Sequence, residues 1–193
     1  MQRESTKHQG AMHAIVGLPI DEVSGLVSEV QKEGVVTVAN HNTELQIVIT
    51  GAPAAVARVS SLAVKKGAKS VPLKVSGAWH SELIKGAEDE FGAYLETIAF
   101  RNPHKTIFFN ISADLSKDSN EIREIMARQL CRPVRWYESM CKLMEEKVEV
   151  FVEVGPGRVL SGILKKILPT NYHCEMYNVS NMKQLEKFLN EIA

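Results

Sequence analysis

A-M-H-A-I-V-G-L (residues 11–18) followed by P-I-D-E-V-S-G-L-V-S-E-V (19–30) decides how this chain folds. The first segment is a short apolar strand. The second puts Val23, Leu26, Val27 and Val30 at helical spacing. V-V-T-V-A-N (35–40) and L-Q-I-V-I-T (45–50) are β-branched strands, and N-H-N-T-E (40–44) reads as the turn-like link between them. A-P-A-A-V-A-R-V-S-S-L-A-V-K-K-G (52–67) is a helix with proline near its start and glycine at its end. S-V-P-L-K-V (70–75) closes the unit. The order β-α-β-β-α-β is the split arrangement of ferredoxin-like domains, a fold that hosts many functions.

Beyond residue 76 the chain alternates helix and strand. Ser81 opens a helix over 81–95 as its cap. K-T-I-F-F-N-I-S (105–112) is apolar on both faces, which suits a buried parallel strand. An amphipathic helix follows over 119–130, then a strand, V-E-V-F-V-E-V (148–154). This runs through G-P-G (155–157) into a helix with Val159, Leu160, Ile163, Leu164 and Ile167 on one side. A last strand (174–180) and a last helix (181–192) end the chain, with Asn181 and Gln184 spaced as a capping pair. About three strands in this half are few for a doubly wound sheet. Either the sheet is small or strands from outside the sequence complete it.

Composition narrows the function classes. The 193 residues carry 23 Lys+Arg against 23 Asp+Glu, a net charge of zero, which argues against a nucleic-acid face built on bulk charge. No apolar run approaches the ~20 residues of a membrane span, and the polar start has no signal-peptide character. Cys131, Cys141 and Cys174 are odd in number and irregularly spaced, and are expected to be reduced thiols in a cytoplasmic protein.

V-S-G-A-W-H (75–80) puts His80 between a strand and a helix, where α/β sites gather. A general base near neutral pH and a capping histidine both fit that position. His8, His13, His41, His104 and His173 have less context and read as incidental. G-P-G-R-V-L-S-G (155–162) offers helix N–H groups to an anion, but Ile163-Leu164 replaces the Lys-Ser/Thr pair of a phosphate loop, so a tight structural turn is expected. Asn40, Asn42 and Gln46 could bind a polar ligand or satisfy their own turn. Trp136 reads as an apolar anchor, and Cys141 as a packed helix residue. No Gly-x-Ser-x-Gly elbow occurs in the sequence.

Five ordered motifs carry a resemblance: G-A-M-H-A-I-V-G-L (10–18), A-N-H-N-T-E-L-Q-I-V-I-T-G (39–51), V-S-G-A-W-H-S (75–81), R-Q-L-C-R-P-V-R-W (128–136) and V-E-V-G-P-G-R-V-L-S-G-I-L-K (152–165). Together they resemble the malonyl-CoA:acyl carrier protein transacylases. The resemblance implies an α/β fold. Residues 10–76 would be a ferredoxin-like small subdomain, and residues 77–193 the C-terminal portion of an α/β-hydrolase-like large subdomain. It implies malonyl-CoA as substrate, no bound cofactor or metal, and acyl carrier protein as partner, with neither nucleic acid nor membrane. A serine in G-H-S-x-G would attack the malonyl thioester of coenzyme A, and the phosphopantetheine thiol of the carrier would take the acyl group. His80 aligns with the histidine that activates that serine, and Gln129 with the residue whose backbone carbonyl orients the ring. Asn40, Asn42 and Gln46 align with amides lining the cleft, although Thr43-Glu44 stands where Ser-Pro is usual. Met1 falls on a methionine four residues after the arginine that clamps the malonyl carboxylate.

The G-Q-G segment, the serine elbow and that arginine are not in the sequence, so the chain alone is expected to be inactive. Trp79, a bulky aromatic before the histidine, implies preference for malonyl over α-branched acyl groups. Three readings follow: part of a transacylase, one chain of a split enzyme, or a non-catalytic module that binds acyl carrier protein through Lys65, Lys66, Lys69 and Lys74.

Overall fold

β-Branched residues alternate between two faces along the first strands, and an antiparallel sheet results. In the computed structural model, which describes residues 1–192, a short helix α1 (Gln2–Lys7) precedes that sheet. β1 (Ala11–Val16), β2 (Val36–Thr43), β3 (Gln46–Gly51) and β4 (Lys69–Pro72) lie in the order β2-β3-β1-β4, and each neighbouring pair is antiparallel. α2 (Ile20–Val30) and α3 (Pro53–Lys65) cover one face, giving the element order read from the sequence. Ile15, Ile47 and Ile49 point into that layer and are fully buried with Val23, Val56 and Val59. Each such side chain contributes about 1.5–3 kcal/mol by leaving water. The other face carries Met12, Ala14, Ala39 and Val48, with Trp79 packed on it.

The hairpin turn is displaced from its expected place. Asn40 to Thr43 stay inside β2, and Glu44-Leu45 alone makes the turn. Irregular register between Val38 and Asn40, and again between His41 and Thr43, lets the strand continue through these polar residues.

Residues 82–84 form a 3-10 turn that leads into α4 (Lys85–Glu96). Segment 105–112 is not the parallel strand its apolar faces suggested. β5 (Ile107–Phe109) pairs antiparallel with β6 (Asp114–Ser116) in a hairpin of three residues a side. Ala113, at φ +49°, turns the chain there, and Arg135 ties the turn down: its N–H donates to the Asn110 carbonyl and its guanidinium to the Ser112 carbonyl. α5 (Ser119–Arg128) is capped by Asp118, whose carboxylate accepts from the amides of Asn120 and Glu121. α6 (Trp136–Glu145) follows.

The chain divides into two compact units, the first running from Met1 to Ser139 and the second from Met140 onward. In the second, β7 (Val150–Val154) and β8 (Glu175–Val179) pair in parallel across α7 (Val159–Ile167), and α8 (Met182–Ile192) ends the described residues. Beyond residue 76 the described residues thus hold four short strands in two small sheets, not three strands of one. Only Leu164 of the expected apolar side of α7 is fully buried, and Val159 is 68 % exposed. The Gln184 backbone N–H donates to Asn181 Oδ1 at 3.0 Å, one arm of the expected capping pair, while the Gln184 side chain accepts from Ser180 N at 2.7 Å and not from Asn181. No described helix is long and apolar enough to cross a membrane.

Candidate active site

Two glycines let the chain pack closely beside His80. A Cβ on Gly10 would stand 2.3 Å from the Ala78 nitrogen. A Cβ on Gly77 would stand 2.5 Å from Ser5 Cβ and 3.0 Å from the Trp79 ring. The segment therefore packs between α1 and β1 with no room to spare, and the indole is held on the sheet. The next residue, His80, adopts φ +62°, a left-handed conformation few side chains enter.

The far wall is the C-terminal end of α5, where helix carbonyls lack intrahelical partners. His80 uses three carbonyls of this turn. Its backbone N–H donates to Leu130 O at 3.2 Å. Its Nδ1 lies 3.1 Å from Gln129 O and 2.9 Å from Arg132 O. Carbonyl oxygens only accept, so Nδ1 carries the proton and Nε2 keeps its lone pair. Burial lowers the pKa of His80 below its ordinary 6.5, opposed by the two carbonyl bonds. The ring is therefore neutral at pH 7 with a fixed tautomer, the state a general base requires.

Pro133 follows the helix end, where the chain can no longer continue as helix. Val134 then returns to the sheet. Its amide donates to Ala39 O at 2.8 Å, and its carbonyl accepts from His41 N at 2.9 Å. The turn that clamps His80 is thus fixed to β2 on either side of Asn40. Asn40, Asn42 and Gln46 are half-buried. Among the described residues, no side-chain hydrogen bond ties Asn42 or Gln46 to the clamp. Met1 lines a mostly apolar cavity of about 550 Å³ with Phe91, Tyr94 and Leu130, the last a clamp residue.

Arg132, Leu130 and Val134 were not legible as site residues, because each acts through its main chain. Two histidines read as incidental are also placed. His13 Nδ1 sits 2.8 Å from Ser60 Oγ and 3.2 Å from Ser70 Oγ. His41 is buried against Tyr137, with Glu138 Oε1 3.9 Å from its Nδ1.

The alternative chemistries recede. Among the described residues no disulfide joins the three cysteines. Burial, with Glu88 adding to it, pushes the Cys131 thiol up to about 12, far from a thiolate nucleophile. The start of α7 holds an anion of its own: the Glu153 carboxylate accepts from Leu160 N at 3.1 Å and Ser161 N at 2.8 Å. G-P-G is accordingly a structural turn, with Gly155 and Gly157 at φ +136° and +89°.

Residues 3–186 match the family described as the acyl transferase domain. The chain belongs to that family. It is 35 % identical over 190 residues to the malonyl CoA-acyl carrier protein transacylase of Haemophilus influenzae, covering 98 % of this chain and 61 % of that protein. Its fold superposes on FabD from Acinetobacter baumannii with a TM-score of 0.90 at 32 % identity, over 99 % of this chain and 61 % of the other. It also superposes on a malonyl-transacylase solved in complex with a type II PKS acyl-carrier protein, with a TM-score of 0.88 at 32 % identity, over 98 % and 62 % of the two chains. The acyl transferase chain therefore spans about three fifths of the length of these relatives.

Proposed function

We propose that this chain supplies the base-bearing part of a transferase that moves malonyl from coenzyme A to the phosphopantetheine thiol of acyl carrier protein. The carrying observation is the pair of carbonyls, Gln129 O and Arg132 O, that accept from His80 Nδ1. They aim Nε2 as an acceptor and stabilise the imidazolium formed when it takes a proton. His80 removes the proton of an attacking serine hydroxyl. It returns that proton to the departing coenzyme A thiolate, and the second half-reaction repeats the cycle with the carrier thiol. Gln129 acts through its main chain, where a carboxylate often stands. Asn40, Asn42, Gln46 and Met1 line the acyl and pantetheine path, and Trp79, wedged on the sheet, leaves no room for an α-methyl branch. The sheet order β2-β3-β1-β4 supports reading residues 10–76 as a ferredoxin-like small subdomain. Residues 77–193 are then the C-terminal portion of the large one.

With no serine elbow in its sequence, the chain alone is inactive in this reading. Labelled malonyl-CoA is expected to leave no stable acyl-enzyme on it, and a label on Cys141 would overturn the assignment. Combined with a serine-bearing segment, it is expected to transfer malonyl and not methylmalonyl. His80→Ala should then slow transfer on the order of 10²–10⁴-fold. Equal transfer of methylmalonyl would sink the role given to Trp79. The second reading, a carrier-binding module, draws on the exposed Lys65, Lys66, Lys69 and Lys74 and on the carrier-bound relative. Salt-sensitive binding of carrier protein by the lone chain would favour it.

A further inference from the structure

We propose that Ser81 is a positioning residue whose hydroxyl holds the His80 ring against its two carbonyl partners; this rests on reading His80 as the base. Ser81 is wholly buried. Its Oγ donates to Ala78 O at 2.7 Å and accepts from Leu83 N at 3.3 Å. One hydroxyl therefore bridges the residues before and after His80. Capping the 82–84 turn explains the bond to Leu83. It does not explain the bond to Ala78, which runs back across the histidine.

That backward bond acts where the backbone is least at ease. At φ +62° His80 occupies a region that costs a side-chain-bearing residue energy, and such a conformation persists only when its surroundings over-determine it. Ala78 is itself fully buried, and the Gly10 backbone packs so closely on it that a Cβ there would stand 2.3 Å from its nitrogen. Ser81 thus ties the turn to a closely packed point on one side, while the turn after α5 meets the imidazole on the other. Without the hydroxyl, Ala78 O is left buried without this donor, the left-handed residue relaxes, and the ring loses its reach to Gln129 O and Arg132 O. The proton on Nδ1 then has no reason to stay there.

The tautomer of His80 is the readout, since a purely structural cap would leave it unchanged. In the 193-residue chain labelled with ¹⁵N-histidine, long-range ¹H–¹⁵N correlations report which ring nitrogen bears hydrogen, and His80→Gln assigns the signal. The chain is expected to show the Nδ1–H form. Ser81→Ala, and the nearly isosteric Ser81→Cys, should shift it toward the Nε2–H form that a free histidine side chain prefers, and Ser81→Thr, which keeps the hydroxyl, should restore it. With a serine-bearing segment present, Ser81→Ala should lower kcat on the order of 10–100-fold with little change in KM. A folded Ser81→Ala or Ser81→Cys chain with His80 still in the Nδ1–H form overturns the proposal. So does loss of the fold in both, which makes Ser81 a cap and nothing more. If instead the tautomer shifts as expected but His80→Ala leaves transfer intact, the reading of His80 as the base fails and the role of Ser81 in orienting the ring stands.

Discussion

Burial holds three histidines neutral: His13 beneath α3, His41 against Tyr137, and His80 in its clamp. Each has its pKa lowered below 6.5, chiefly by loss of water around the charged form. The unfolded chain therefore binds more protons than the folded one just below that pH. The stability these rings contribute is complete above about 6.5 and is lost as pH falls through their folded values. Glu138, lowered by its pairing with Arg135, acts only below its ordinary 4.5. Thermal melts are thus expected to be flat from pH 8 to 7 and to fall as pH drops below 6.5. His41→Phe should shallow that fall, and an unchanged slope would remove His41 from the account. The acid limb of any transfer activity should lie below 6.5, following His80.

Glycines at two elements make opposite demands. Gly25 is exposed within α2 and a Cβ there meets nothing within 4 Å. Gly25→Ala is expected to stabilise the protein by about 0.8–1 kcal/mol through helix propensity. Gly10→Ala drives a methyl into the Ala78 backbone and should cost about 1–3 kcal/mol or more. Urea denaturation of the pair checks both signs. The same scale shows why some elements were legible and others not. Helical and alternating periodicity marks 11–72 because one face of each element is buried. The β2-β3 turn was misplaced because Asn40 and Asn42 look like turn residues, yet the bulged strand and Val134 absorb them. The β5-β6 hairpin was missed because three-residue strands carry too few alternations to register, and its turn rests on Arg135, far along the chain. His80 and Gln129 could be named from motif order. Leu130, Arg132 and Val134 could not, since a carbonyl leaves no mark on the side chain that bears it.

At the scale of the whole molecule, the second unit leaves several large apolar side chains exposed. Val154 is 78 %, Met182 68 % and Leu189 50 % exposed. β7 and β8 form a sheet of two strands, so each has an unpaired edge. With no net charge to keep copies apart, the purified chain is expected to associate as concentration rises, by light scattering after size exclusion. Val154→Lys with Met182→Lys should reduce that association, and no change would place the contact elsewhere. Sequence distance has a second consequence. The imidazole and the carbonyls that fix its proton lie 49 and 52 residues apart. A nascent chain has all four strands of its first sheet once Pro72 leaves the ribosome, but His80 then emerges ahead of Gln129 and Arg132. During synthesis the strands come first, and the His80 ring waits for the carbonyls that orient it.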